Sequence, residues 1–293
     1  VPGHGEHHRE ALHVRGRERG AKAVVRDDRD LAAGAAGTVV GAVDTETSRA
    51  VVVKFFDGSD DNFAAWIGEL RLAMRLRHPN ILVVYEVGEA QQQAYIAMEL
   101  IQGLPLSHAQ AQLRLEERIR VLIDVASAVH AAHRIGVIHR DLKPSNVMIQ
   151  RREDGTLRAT VMDFGLAHDP QADEQLTRSG AVLGTPAYMS PEQARGDTRN
   201  VDRRSDVYSL GAILYELLTL QPPLLGSSTI ETLLKVMQEE PRPLRKLAPT
   251  VPRDLETIAH KCLEKTPNRR YESAQALCRD LQAYLDGEPI AAR

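Results

Sequence analysis

Short β-branched runs separated by turn residues mark the first third of the chain. Val39-Val40 and Val43, the polar stretch Asp44–Arg49 and Val51-Val52-Val53 together predict a β-hairpin or meander. Apolar positions at Trp66, Ile67, Leu70, Ala73, Met74 and Leu76 then recur at helical spacing, so a helix is expected over Phe63–Leu76. His78-Pro79 closes it, because proline disfavours helical geometry in the residue before it. Strands are expected at Ile81–Val87 and Ala94–Leu100. The pattern then changes to long helical repeats. Leu115–Ile135 carries Ile119, Leu122, Ile123, Ala126 and Val129 on one face, and Asp206–Leu220 is apolar nearly all round, as in a helix buried in a core. Two more amphipathic helices, near Asp254–Glu264 and Ser273–Leu285, follow a stretch punctuated by Pro241, Pro243, Pro249 and Pro252.

Composition narrows the class. The 293 residues carry 37 Lys plus Arg against 40 Asp plus Glu, a net charge of −3, which argues against a dedicated nucleic-acid binder. Cys262 and Cys278 stand sixteen positions apart with no CxxC spacing, so neither a disulfide framework nor a thiolate zinc site is expected, and a reducing cytosol fits. No run of 18 apolar residues occurs: Val207–Leu220 is interrupted by Tyr208, Ser209, Gly211 and Glu216, so no membrane segment is expected within this chain. Residues 1–22 are rich in His, Arg, Gly and Glu and read as a flexible tail. His4, His7, His8 and His13 read as solvated histidines, with metal binding as the alternative.

The densest chemistry lies in His139-Arg140-Asp141-Leu142-Lys143-Pro144-Ser145-Asn146 and Asp163-Phe164-Gly165. An Asp and an Asn five residues apart would, alone, suit an ordinary turn. Flanked by the apolar runs Val147-Met148-Ile149 and Val161-Met162, these residues put three oxygen-bearing side chains at the ends of a β-hairpin. Hard oxygens in that number suit Mg²⁺ shared with substrate phosphates, which points to a nucleotide polyphosphate.

With these motifs and Gly184–Glu192 (GTPAYMSPE), the chain from about Ala23 to Leu285 resembles the eukaryotic-like protein kinases, and within them the bacterial (Hanks-type) serine/threonine kinases. The resemblance implies an α+β, two-lobed protein kinase-like fold, with a β-rich N-lobe carrying one helix (23–101) and a larger helical C-lobe (102–286). Residues 287–293 would begin a linker to a further region of the parent protein. It implies ATP and Mg²⁺ as cofactors, with Mn²⁺ as a substitute, and protein substrates as partners. A transient homodimer for trans-autophosphorylation is also implied, in a cytoplasmic domain whose full-length parent is membrane-anchored.

Carried over residue by residue, the resemblance makes Asp141 the group that takes or orients the acceptor proton. Lys143 would neutralise charge on the transferring phosphoryl group, and Asn146 and Asp163 would hold magnesium. Lys54 would bind phosphates and pair with Glu69, while Gly34, Gly37, Val39 and Val52 would enclose the nucleotide. Met98 would be the gatekeeper, with Glu99 and Ile101 as hinge groups whose backbones meet adenine; simple core filling accounts for Met98 equally well. Glu192 and Arg270 would form a buried ion pair, Asp206 would stiffen the catalytic loop, and Thr185 would support Asp141 and Lys143. Arg140 implies switching by a phosphate on the activation segment, for which Thr177 and Ser179 are the candidates; their alternative is ordinary loop residues.

Departures keep a second class open. Ala32 stands where the family has the first glycine of its loop, Val52 where it has Ala against adenine, and Ala73 where it has a large apolar residue. The Arg26–Asp30 run is too polar for a regular first strand, which is expected to be frayed or differently paired. The alternative is a pseudokinase or signalling scaffold with impaired nucleotide binding. A small-molecule phosphotransferase of this fold ranks third, having no need of Gly184–Glu192.

Overall fold

The computed structural model describes residues 12–15, 22–25, 30–34, 37–56, 74–90, 93–164 and 186–292. Contacts divide the chain into two compact units, one of Val1–Arg75 with Val83–Ile101 and the other of Leu76–Leu82 with Gln102–Arg293.

The first unit is an antiparallel sheet of β1 (Leu12–Arg15), β2 (Lys22–Val25), β3 (Asp30–Gly34), β4 (Gly37–Asp44), β5 (Arg49–Phe56), β6 (Val84–Ala90) and β7 (Gln93–Glu99). Its order is β1-β2-β4-β5-β7-β6, with β3 also pairing β4. The expected hairpin is β4–β5. Asp44 shapes its turn: Oδ1 accepts the N–H groups of Glu46 and Thr47, and Oδ2 accepts the Thr47 hydroxyl. Along β5 the side chains alternate, so Val51, Val53 and Phe55 join Ala42, Tyr95 and Ala97 in a core on one face.

Two expectations need adjustment here. The strand expected at Ile81–Val87 begins at Val84, because Ile81 makes a parallel bridge to Val161 and Leu82 N–H donates to Val161 O at 2.9 Å. Residues 76–82 thus belong to the second unit. The tail reading of 1–22 also meets a strand, since β1 pairs with β2 from Leu12↔Val25 to Arg15↔Lys22. On either side of residues 26–29, which lie outside the described residues, β2 takes Val43 and Asp44 of β4, while β3 takes the stretch from Gly37 to Val40. The helix expected over Phe63–Leu76 falls mainly outside the described residues.

The second unit contains α1 (Leu106–Ala109), α2 (Leu115–His133), α3 (Pro191–Ala194), α4 (Arg203–Thr219), α5 (Thr229–Gln238), α6 (Leu244–Leu247), α7 (Arg253–Cys262) and α8 (Ala274–Asp286). A small sheet, β10 (Leu157–Val161), β9 (Val147–Arg151) and β8 (Leu104–Pro105), lies in the same unit. The four helices expected from apolar periodicity correspond to α2, α4, α7 and α8. Helix α4 is buried from Ser205 to Leu218 and is packed by α2, α7 and α8. Its N-cap Asp202 accepts the Arg204 N–H, and it ends at Leu220 in the left-handed region, φ 59°. Within 287–293, expected to begin a linker, Ile290 is buried and Asp280 Oδ1 accepts the Ala291 N–H at 2.8 Å.

Gly211 lets α4 approach α7 closely, since a Cβ there would lie 2.3 Å from Cys262 Cβ. Gly211→Ala is therefore expected to destabilise the second unit by about 1–3 kcal/mol through overpacking, read as a lower denaturant midpoint. An unchanged midpoint would show that the two helices can separate freely.

Candidate functional site

The second unit gathers most of the polar residues singled out in the sequence. The chain leaves α2 through Gly136, φ 82°, bends at Arg140, φ 66°, and after Lys143 makes a 3₁₀ turn over Pro144–Asn146 that Pro144 preorganises. The β9–β10 hairpin follows. Its register pairs Val147 with Val161, so Asn146 and Asp163 flank the same end of the hairpin. A further bond ties these flanks together, Met162 N–H to Asn146 O at 2.9 Å.

Asp141 sits at the centre. Lys143 Nζ lies 2.7 Å from its Oδ2, and Asn146 Nδ2 donates to both its carbonyl, at 2.8 Å, and its Oδ2, at 3.2 Å. The carboxylate remains 28 % exposed, so it is oriented by protein donors yet reachable by a ligand. With its amide nitrogen turned to Asp141, Asn146 presents Oδ1 as its other polar atom. Asp163 is half-buried with φ at 60°, a left-handed conformation that Asp tolerates better than most residues and that re-aims its carboxylate.

His139 links these parts. Its Nε2 is 2.8 Å from Met162 O, which can only accept, so Nε2 carries the proton. Nδ1 is then the acceptor for the Asp141 N–H at 3.3 Å. The ring packs against Phe164 with centroids 4.7 Å apart. Beneath lies Asp206 of α4, 0 % exposed, whose Oδ2 accepts from the His139 N–H at 2.9 Å and meets His133 Nε2 at 2.7 Å. Its Oδ1 accepts from the Arg140 N–H at 3.0 Å. These donors hold Arg140 at φ 66°, a strained conformation for a long side chain. Burial pushes Asp206 up, but the His133 bond and charge, together with the His139 N–H, prevail and hold it below the ordinary carboxylate range.

Glu192 and Arg270 form a bidentate pair at 2.7 and 2.8 Å, with Ser205 Oγ also donating to Glu192 Oε1. The remaining Arg270 N–H groups reach the carbonyls of Glu264, Arg204 and Lys265. Burial raises Glu192, yet the Arg270 bonds and charge keep it below its ordinary value.

The first unit holds the residues assigned to the nucleotide. Lys54 on β5 pairs with Val39 and Ile96, its Nζ 5.2 Å from the Phe56 ring centroid. Val52 lies opposite Met98, which is buried, and Gly34 pairs with Gly37 at the β3–β4 turn. Glu99 N–H donates to Val83 O at 2.9 Å, so an adenine contact from the Glu99 backbone falls to its carbonyl. Ile101 is half-buried after β7. Glu69, Thr177, Ser179 and Thr185 lie outside the described residues.

Sequence reasoning gave no role to His133, Gln110, Tyr188 or Glu216, whose partners are up to 106 positions away. The six-residue step from His133 to His139 is the one local hint. Among the described residues no cluster of three His, Cys, Asp or Glu is poised to hold a metal. Two oxygen-bearing side chains at one hairpin end nevertheless fit Mg²⁺, which takes few protein ligands and keeps water and phosphate oxygens. No helix among the described residues is long and apolar enough to cross a membrane.

Comparison with known proteins agrees with this constellation. Residues 25–281 match the protein kinase domain family. A probable serine/threonine-protein kinase of Streptomyces coelicolor is 38% identical over 274 residues, 89% of this chain and 40% of that protein. Serine/threonine-protein kinase PknB of Mycobacterium tuberculosis is 40% identical over 229 residues, 75% of this chain and 36% of that protein. The chain thus spans well under half the length of these relatives. The crystal structure of the Mycobacterium tuberculosis PknI kinase domain superposes with a TM-score of 0.70 at 26% identity, covering 89% of this chain and 95% of that one. With Asp141, Asp163, Phe164 and the α4 carboxylate arranged as described and residues 25–281 matched, the chain belongs to the protein kinase domain family.

Proposed function

We propose that this domain is a serine/threonine protein kinase that transfers the γ-phosphoryl group of ATP to Ser and Thr hydroxyls of proteins. The observation that carries this reading is Asp141, half-shielded and held by Lys143 and Asn146 beside the hairpin end that bears Asp163. The acceptor hydroxyl oxygen bonds to the γ-phosphorus, the bond from that phosphorus to the β–γ bridging oxygen breaks, and ADP leaves. Asp141 orients the hydroxyl and receives its proton, while Lys143 offsets negative charge on the transferring group. Magnesium, when bound, neutralises charge on the phosphate oxygens; Asn146 and Asp163 are the residues that would hold it. Lys54 with Glu69 serves the α- and β-phosphates, and Gly34, Gly37, Val39, Val52, Met98, Glu99 and Ile101 serve the nucleotide. Mn²⁺ is expected to substitute.

Lys54, Glu69, Asp141, Asn146 and Asp163 are all present, which a scaffold without catalysis has no need to retain. Radiolabelled ATP offered with a generic basic protein is the test. Labelled protein from the wild type and none from Asp163→Ala supports the kinase, whereas ATP binding without transfer would establish the scaffold.

Thr177 and Ser179 are proposed as autophosphorylation sites, with Arg140 as the phosphate's partner and a transient homodimer as the route. Mass spectrometry after incubation with ATP should find phosphate at one of them; none between Asp163 and Glu192 would refute it. Its use of ATP supports a place on the cytoplasmic side, in a full-length parent proposed to be membrane-anchored.

A further inference from the structure

Helix α8 ends in a Schellman motif: Gly287, at φ 73°, donates its N–H to Tyr284 O at 3.3 Å, and Glu288 N–H donates to Ala283 O at 2.8 Å. The chain then runs back beside the helix, because Ala291 N–H reaches Asp280 Oδ1, in the middle of α8, at 2.8 Å. Ile290 is buried while Pro289 and Ala291 on either side are exposed. One side chain and one main-chain N–H therefore seat this segment.

Asp280 is only 3 % exposed, and both its oxygens are engaged. Oδ1 takes the Ala291 N–H, and Oδ2 accepts the Tyr271 hydroxyl at 2.7 Å. Burial pushes the Tyr271 phenol up, so it stays a donor across the working pH range. Neither donor carries a charge, so a carboxylate held out of water here depends on keeping both. Tyr271 in turn stands among three consecutive residues that each hold a different part of the unit. Arg270 pairs with Glu192 in the first turn of α3, Tyr271 bonds Asp280, and Glu272 O accepts from Arg203 Nε at 2.8 Å, where α4 begins.

We propose that residues 288–292 are a strap with a seated and a lifted state, and that lifting it loosens the Arg270–Glu192 pair through Asp280 and Tyr271. Without the Ala291 N–H, Asp280 keeps one donor in a dry site, which favours turning the carboxylate toward water. That movement breaks the Tyr271 bond, and Tyr271 is one peptide bond from Arg270. Whatever takes hold of the strap thus acts on the start of α3. Its bearing on catalysis rests on the kinase reading, in which Gly184–Glu192 meets the acceptor.

Amide hydrogen exchange of the whole chain, measured without nucleotide or acceptor, tests this. If the wild type transfers no phosphate, the kinase reading fails and the exchange results stand. Ala291→Pro removes the N–H that Asp280 accepts, at an exposed position. Exchange should quicken about fivefold or more at Glu288 and also at Ala194, Arg195 and Asp197, whose amides bond the carbonyls of Ser190, Pro191 and Glu192. Amides in the middle of α2, from Leu122 to Ala128, should keep their wild-type rates. Tyr271→Phe breaks the same connection from the other end with little change in bulk, and it should quicken Glu288 as well, because coupling is reciprocal. Wild-type rates at Ala194, Arg195 and Asp197 in Ala291→Pro, or α2 amides quickening together with them, would overturn the proposal. So would a wild-type rate at Glu288 in Tyr271→Phe.

Discussion

Asp141→Asn is expected to slow phosphoryl transfer by about 10²–10⁴-fold, the usual contribution of a positioned general base. The substitution keeps the size and one carbonyl oxygen, so Lys143 Nζ and Asn146 Nδ2 retain an acceptor near their present positions. What disappears is the site that receives the hydroxyl proton. The loss should therefore appear in kcat, with the KM values for ATP and acceptor little changed. Asp163→Ala differs in kind, because it removes an oxygen proposed to hold magnesium and should weaken ATP binding as well as turnover. Comparable rates for wild type and Asp141→Asn would mean that the acceptor proton leaves by another route.

The uneven legibility of the sequence has physical causes. Helices α2, α4, α7 and α8 were readable because a long apolar face has a period that survives small errors at the ends. The β4–β5 hairpin was readable because Asp44 is a turn residue between two valine-rich runs. Ile81 and Leu82 misled, since apolar residues next to a strand look like its beginning, whereas a bridge to Val161, eighty positions away, places them in the other unit. Leu12–Arg15 misled for the opposite reason: four residues in a polar stretch give no period, and their strand exists through pairing with Lys22–Val25. At the site, His139–Asn146 and Asp163 are local motifs, and a β-hairpin is enough to bring their ends together. Glu216 and Tyr188 carry no such signature. On a helix buried all round, an isolated Glu reads as a flaw in the pattern until its partners are known, although a polar residue there is itself a sign that something must be held.

Arg270→Ala should be the most damaging single change to stability, costing about 3–5 kcal/mol, because it strands Glu192 in a site where the carboxylate is only 4 % exposed. The loss exceeds that of a surface pair since every guanidinium N–H is in use. Three of them brace the carbonyls of Arg204, Glu264 and Lys265, so the start of α4 and the loop after α7 are released together with Glu192 in the first turn of α3. Replacing Glu192 and Arg270 jointly by Gln and Met should recover part of the deficit, as no buried charge is then left alone; a double variant no better than Arg270→Ala would place the cost in the carbonyl bracing instead. The pair also sets a pH dependence. Glu192 is held below its ordinary 4.5, so its contribution is fully present above that value and is lost as pH falls through the lower folded-state value. Asp206, held down chiefly by His133 against the opposing effect of burial, acts in the same direction. Acid unfolding of the wild type should therefore steepen below about pH 4.5, and Glu192→Gln, already weaker at neutral pH, should flatten that slope. A variant with the wild-type slope would assign the acid sensitivity to Asp206 rather than to the ion pair.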